Sequence, residues 1–161
     1  MTSDKKFSPL AFIIALAIPI AVGAIGGLFT AHSVKTWYLG INKPAFNPPS
    51  WLFSPVWTTI FILIGISSYL VWQKRDQITH KPRTIAVYAM QLLLNLMWSF
   101  IFFYARRIDL ALFEIVILFI MILINTSVFY KIDKRAGLLF VPYILWVAFA
   151  SVLNYSIFML N

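Results

Sequence analysis

Charged residues divide this sequence into long stretches that contain none, and that spacing restricts the fold more than any motif does. No Asp, Glu, Lys or Arg falls between Lys6 and Lys35, between Lys43 and Lys74, between Arg83 and Arg106, or after Arg135. A fifth stretch, from Leu110 to Tyr130, is interrupted by Glu114 alone. A helix needs about 20 predominantly apolar residues to cross the hydrocarbon of a bilayer, and each stretch supplies them. The chain is 61% hydrophobic and 11% charged, against about 25% charged in soluble domains, so it has too little polar surface to enclose a water-facing core. These features predict an all-α integral membrane protein, one bundle of five transmembrane helices over 9–31, 51–72, 84–104, 110–129 and 137–160. The first stretch is kept as a span because its apolar part exceeds the about 7–15 residues of a signal-peptide core.

One region breaks the regularity. The stretch 37–57, WYLGINKPAFNPPSWLFSPVW, carries Pro44, Pro48, Pro49 and Pro55 among large aromatics that include Trp37, Trp51 and Trp57. Proline fixes φ, removes a donor and pushes its predecessor into extended conformation, so 32–50 is expected to be a stiff loop. Trp and Tyr join a large apolar body to one polar handle. They suit either an interfacial aromatic belt or a lid over a pocket. The following helix has two available starts, Ser54-Pro55 as cap and first residue, or Ser50 with Pro55 in the early turns.

Within the spans, polar side chains mark the faces that meet protein or water rather than lipid. In the third span Gln91, Asn95, Trp98 and Ser99 share one side; in the fifth, Tyr143, Trp146, Ala150 and Asn154 do so. Two helices thus each turn an amide and an indole inward, either as interhelical hydrogen-bond glue or as the wall of a site. Gly23, Gly26 and Gly27 leave the first helix nearly bare on one face, open to close helix packing or to a flat ligand. Glu114 is read as a structural partner of Arg106 or Arg107, and Asp109 as an N-cap.

Lys and Arg favour one side, nine at the N-terminus and in the connectors 73–83 and 130–136 against four in 32–50 and 105–109. The positive-inside rule then places the N-terminus inside and the aromatic-proline loop outside. The cations sit in short connectors, which points to anionic lipid in the bilayer and not to nucleic acid. The chain has no cysteine, which removes thiolate chemistry and Cys-ligated metals, and two histidines near span ends build no metal site. Phosphate-cradling loops, a nucleophile elbow and paired carboxylates are absent. What remains is a bundle whose aromatic, amide-studded interior suits a flat apolar ligand with few polar groups.

The blocks WYLGINKPAFNPPSW, FSPVW, LVW, NLMWSFIFF with ARR, and PYILWVAFASVLNY resemble, in order and spacing, the TspO/MBR family of tryptophan-rich sensory and translocator proteins. The resemblance runs from Trp37 to Asn154. It implies a five-helix bundle, commonly a homodimer, with a pocket between the helices closed by the loop after the first span. Family members bind porphyrins such as protoporphyrin IX, and the resemblance implies a porphyrin as ligand with no cofactor, in a receptor, sensor or carrier of the bacterial cell membrane. Carried over by motif, the pocket includes Trp57, Asn95, Trp98, Trp146 and Ala150, with Trp51, Gln91, Tyr143 and Asn154 as further ligand-binding candidates. Trp57 and Trp146 match the tryptophans that some members use in light-dependent porphyrin breakdown; an indole can stack on a macrocycle and give it an electron when it is excited. The sterol motif of animal members is incomplete here, with Leu153 and Tyr155 but no following cation. A transporter of tetrapyrroles or other amphiphiles is a competing reading, weakened by the odd span number and the lack of an inverted repeat. A partner-binding membrane subunit without a small-molecule ligand is the other.

Overall fold

The computed structural model describes residues 6–161. Five helical stretches are long and apolar enough to cross a membrane, so the chain is an all-α, multi-pass integral membrane protein. Helix α1 (Pro9–Val34) opens with Ser8, whose hydroxyl accepts from the Ala11 amide, and runs unbroken through Pro19. The next segment is not loop throughout, because 37–40 closes into a single turn, α2 (Trp37–Gly40). Helix α3 (Ser50–Gln73) starts at Ser50, with Pro55 inside its second turn. That settles the two starts left open by the sequence.

Helix α4 (Lys81–Ser99) has Pro82 in its first turn, where the missing N–H costs nothing. It passes into a π-helical turn over Phe100–Tyr104. The chain then reverses through Arg106 at φ 56°, left-handed backbone that L side chains adopt at a cost of about 1–2 kcal/mol. Helix α5 (Ile108–Ile132) begins one residue before Asp109, so Asp109 lies in its first turn and is not the N-cap. Its carboxylate is occupied by the guanidinium fork of Arg107, at 2.9 and 2.7 Å.

The last span is broken where one helix over 137–160 was expected. It consists of α6 (Lys134–Leu138) and α7 (Val141–Leu160). Asp133 caps α6 by accepting from the amides of Arg135 (2.8 Å) and Ala136 (3.4 Å), while Pro142 stands at the start of α7. Lys74, at the end of α3, reaches the same carboxylate at 3.0 Å. Burial raises the Asp133 carboxyl, but hydrogen bonds from Arg135, Lys74 and the two amides outweigh it and hold it at about 2.

In lipid the helices associate through close packing and hydrogen bonds. Helix α5 lies between α4 and α7, and α1 packs on α3 and α4. The face of α5 carrying Ala111, Ile115, Leu118, Ile122 and Phe129 is buried. At Gly65 of α3 the backbone of α1 comes close: a Cβ there would meet Ala15 O and Leu16 Cα at 2.9 Å. Outward faces are apolar: Leu28 is 76% and Phe113 70% exposed, which lipid and not water would cover.

Candidate functional site

The wall of the interior is assembled from helical periodicity. On α7, Trp146, Ala150 and Asn154 recur every fourth residue and so share a face; on α4, Asn95 and Trp98, three apart, share one too. These faces, with Trp57 of α3 and the glycines of α1, enclose a cavity of about 560 Å³. The size falls in the range of small-molecule sites, about 300–1,000 Å³. Trp57, Asn95, Trp98, Trp146, Ala150 and Asn154 all line it.

The remaining three candidates do not. Trp51 is on the first turn of α3 and 71% exposed, which suits the aromatic-belt reading of that residue. Six positions further along the same helix, Trp57 points inward. Tyr143 is buried behind the wall, its ring 6.3 Å from that of Trp57 and its hydroxyl accepting from Asn95 Nδ2 at 2.9 Å. Gln91 is also fully buried, one turn before Asn95, in the packing between helices.

Ring and amide geometry is fixed by internal bonds. The indole N–H of Trp98 donates to Asn154 Oδ1 at 3.1 Å, and Asn154 Nδ2 donates to the Ile108 carbonyl at 3.1 Å. Trp98 also stacks on Phe102, centroids 5.2 Å apart and planes at 24°. Trp57 and Trp146 stand perpendicular, edge to face, on the cavity wall, centroids 6.5 Å apart. Trp146 Nε1 is buried without a hydrogen-bond partner among the described residues. Ala150, between Trp146 and Asn154, presents only a methyl group and keeps the space clear.

The glycine face of α1 divides between the two roles the sequence allowed. At Gly23 a Cβ would fall 2.5 Å from the Phe61 ring, so this glycine serves packing against α3. A Cβ on Gly27 would have nothing within 4 Å, and this residue opens onto the cavity.

At the end of α1 the aromatic-proline segment is tied down. Tyr38 is buried and its hydroxyl donates to Asn47 Oδ1 at 2.6 Å; burial pushes that hydroxyl up to about 12, against the opposing effect of the Asn47 bond. Lys43 Nζ donates to the carbonyls of Tyr38 (2.7 Å) and Ile41 (2.8 Å), closing the turn of α2. Asn42 and Asn161 clasp each other: Asn42 N–H to Asn161 Oδ1 at 3.0 Å, and Asn161 Nδ2 to the Asn42 carbonyl at 2.9 Å.

Glu114 is not paired with Arg106 or Arg107. It lies five residues beyond Asp109, about 140° further round α5, and is buried with both oxygens lacking a hydrogen-bond partner among the described residues. Of the two expected partners, Arg107 is held by Asp109. Sequence reasoning also missed Phe53, Phe149 and Lys35 on the lining. Phenylalanine in an apolar span carries no signal, whereas Lys35, the cation closing the first charge-free run, offered one.

The sequence model described as the TspO/MBR family matches residues 15–160. The chain is similar to the tryptophan-rich protein TspO of Archaeoglobus fulgidus, at 40% identity over 94% of this chain and 97% of that protein. It is similar to the translocator protein of Homo sapiens at 35% identity, over 83% of this chain and 79% of that one. It is similar also to the tryptophan-rich sensory protein of Cereibacter sphaeroides at 32% identity, over 94% and 90% respectively.

Proposed function

The chain belongs to the TspO/MBR family, and from that premise we propose that it is a membrane receptor, sensor or carrier that binds a porphyrin or a similar flat hydrophobic ligand between α1, α3, α4 and α7. The observation that carries this reading is the pair of indoles of Trp57 and Trp146, perpendicular at 6.5 Å on the wall of one apolar cavity. Each offers a face or edge to a macrocycle, and aromatic pairing adds about 0.5–1.5 kcal/mol beyond area burial. Light-dependent oxidative porphyrin breakdown belongs to the same proposal: the excited macrocycle takes an electron from the indole in contact with it, and dissolved dioxygen is the oxidant that the net reaction consumes.

The competing idea of a partner-binding subunit finds less support. Two inward amides are engaged within this chain, Asn95 with Tyr143 and Asn154 with Trp98, and those of Gln91 and Asn125, without a hydrogen-bond partner among the described residues, are fully buried and out of reach of a partner's helix. We place the protein in the bacterial cell membrane with its N-terminus inside, on the charge bias of the connectors. Protoporphyrin IX titrated into the purified protein, following tryptophan fluorescence in the dark and porphyrin absorbance under light, tests the reading. Saturable quenching weakened in Trp57→Phe and Trp146→Phe is expected. Linear quenching, indifferent to both, would mean partition into detergent and would overturn it.

A further inference from the structure

The polar groups on the cavity wall are mostly engaged inside the protein. Asn95 donates to Tyr143, Trp98 to Asn154, the Thr30 hydroxyl to the Gly26 carbonyl at 3.0 Å, and the Thr58 hydroxyl to the Ser54 carbonyl at 2.8 Å. What remains to meet a ligand is apolar surface, a few serine hydroxyls, the side-chain oxygen of Asn95, and Lys35. Among the described residues Lys35 is the only charged one on the lining. It follows the last residue of α1, where its backbone amide caps the helix by donating to the His32 carbonyl at 3.2 Å. Its side chain is exposed at the end of the span, and no acid among the described residues forms an ion pair with it.

A charge cannot be carried into such an interior without large cost unless it meets an opposite one. The cavity therefore has one place for a ligand's anionic group, at its mouth. We propose that Lys35 sets the specificity of the cavity by pairing with a carboxylate of a flat, acid-bearing ligand whose apolar body lies among Trp57, Trp98 and Trp146. This rests on the binding function proposed above and narrows it: the ligand enters body first, its acid group held at the rim. A neutral ligand of equal shape lacks that contact.

Protoporphyrin IX, a dicarboxylic acid, and its dimethyl ester share one macrocycle and differ in the charge that Lys35 would read. Both are titrated into the full chain in zwitterionic nanodiscs by tryptophan quenching. The parent is expected to bind the acid more tightly than the ester. Lys35→Gln lowers affinity for the acid about threefold, the scale of an ion pair at an exposed edge, and leaves the ester unchanged. Lys35→Glu lowers acid affinity about tenfold, counting lost attraction and new repulsion, while Lys35→Arg keeps the preference. Raising salt narrows the gap between acid and ester. Lys131→Gln removes the same charge at the opposite end of the bundle and is expected to change nothing, which separates a local pair from the general attraction of a +8 chain.

Acid affinity unaltered in both Lys35→Gln and Lys35→Glu, or acid and ester affinities falling together, would overturn the role of Lys35. Saturable binding of the ester with no preference for the acid in the parent overturns the same role but leaves the porphyrin site standing. Saturation by neither compound overturns the porphyrin site, and this inference with it.

Discussion

Replacing Asn154 with Leu removes one side chain that serves both the bundle and the cavity wall. Its amide accepts from the Trp98 indole and donates to the Ile108 carbonyl, each at 3.1 Å, so a single group on α7 ties α4 to the start of α5. Inside a bilayer an interhelical hydrogen bond averages about 0.6 kcal/mol, and two give about 1.2. The Ile108 carbonyl keeps its role as a helical acceptor, so losing the amide strands nothing there. The Trp98 N–H has no second partner, and an unsatisfied donor adds about 1 kcal/mol, the low end of the usual range because the cavity edge gives it some freedom. Leu and Asn are close in size, so no void opens. The sum is about 2 kcal/mol, and for a chain of this length each kcal/mol moves the midpoint by about 2–4 °C, a fall of about 4–8 °C. Helical circular dichroism on heating in detergent measures it. Trp98→Phe removes the donor itself, so the double variant is expected to be less destabilised than the two singles added, by about 1 kcal/mol. A midpoint unmoved by Asn154→Leu, or strict additivity in the double variant, would refute the geometry.

Glycine substitutions separate packing from open space within one helix pair. Gly65→Ala drives a methyl to within 2.9 Å of Ala15 O and Leu16 Cα; overpacking against backbone costs about 1–3 kcal/mol, and a lower midpoint is expected despite the about 1 kcal/mol gained in helix propensity. Gly27→Ala meets nothing within 4 Å and is expected to leave the midpoint level or raise it, by up to about 1 kcal/mol; the reverse order of the two variants would show the α1–α3 register to be wrong. Asp133 tests the joint between α5 and α6: with its carboxyl held at about 2 in the folded protein, below the about 3.9 of an unfolded chain, its contribution is present above pH about 4 and is lost as pH falls toward 2. Asp133→Asn is therefore expected to melt earlier at neutral pH and to lose part of the parent's decline over that window; identical profiles would count against the Lys74–Asp133–Arg135 cluster. Asn161→Ala breaks the clasp on Asn42, and hydrogen exchange should show faster loss of protection at the Asn42 amide with the interior of α3 unchanged; equal rates at Asn42 would show that the clasp does not hold the segment.

The spans were legible because the absence of charge over about 20 residues has one physical explanation, and because inward amides mark a helix face without needing its neighbours. The breaks were harder to see. Asp133, Gly137 and Pro142 each allowed an interruption around α6, yet all three also occur inside or beside continuous spans; the bonds that Asp133 accepts from Arg135 and Ala136 decide where α6 starts, and the bond from the Phe140 amide to the Gly137 carbonyl marks where it ends. Gly65 has no small residue four positions away to announce a crossing; its importance comes from Ala15 and Leu16 on another helix. Trp51 and Trp57 read alike by composition, and a helix starting at Ser50 separates them by rotation, one to the outer surface and one to the cavity.

The amides show why two readings of the same residue need not compete. Asn95 gives its Nδ2 to Tyr143, and Asn154 engages both ends of its amide with Trp98 and Ile108, which is the behaviour of glue. Yet both line the cavity, and the bond from Trp98 fixes the plane of an indole already stacked on Phe102. The glue therefore sets the shape of the wall. A polar side chain that has satisfied itself inside the chain also presents little hydrogen-bonding capacity to a ligand, so the interior acts as an apolar slot despite its amide content. Polarity accessible to a ligand is displaced to the serine hydroxyls, the side-chain oxygen of Asn95 and the ammonium of Lys35. Counting polar residues in the spans overstates how polar the bound molecule can be; subtracting the internal bonds leaves a site for a largely apolar body with its charge at one end.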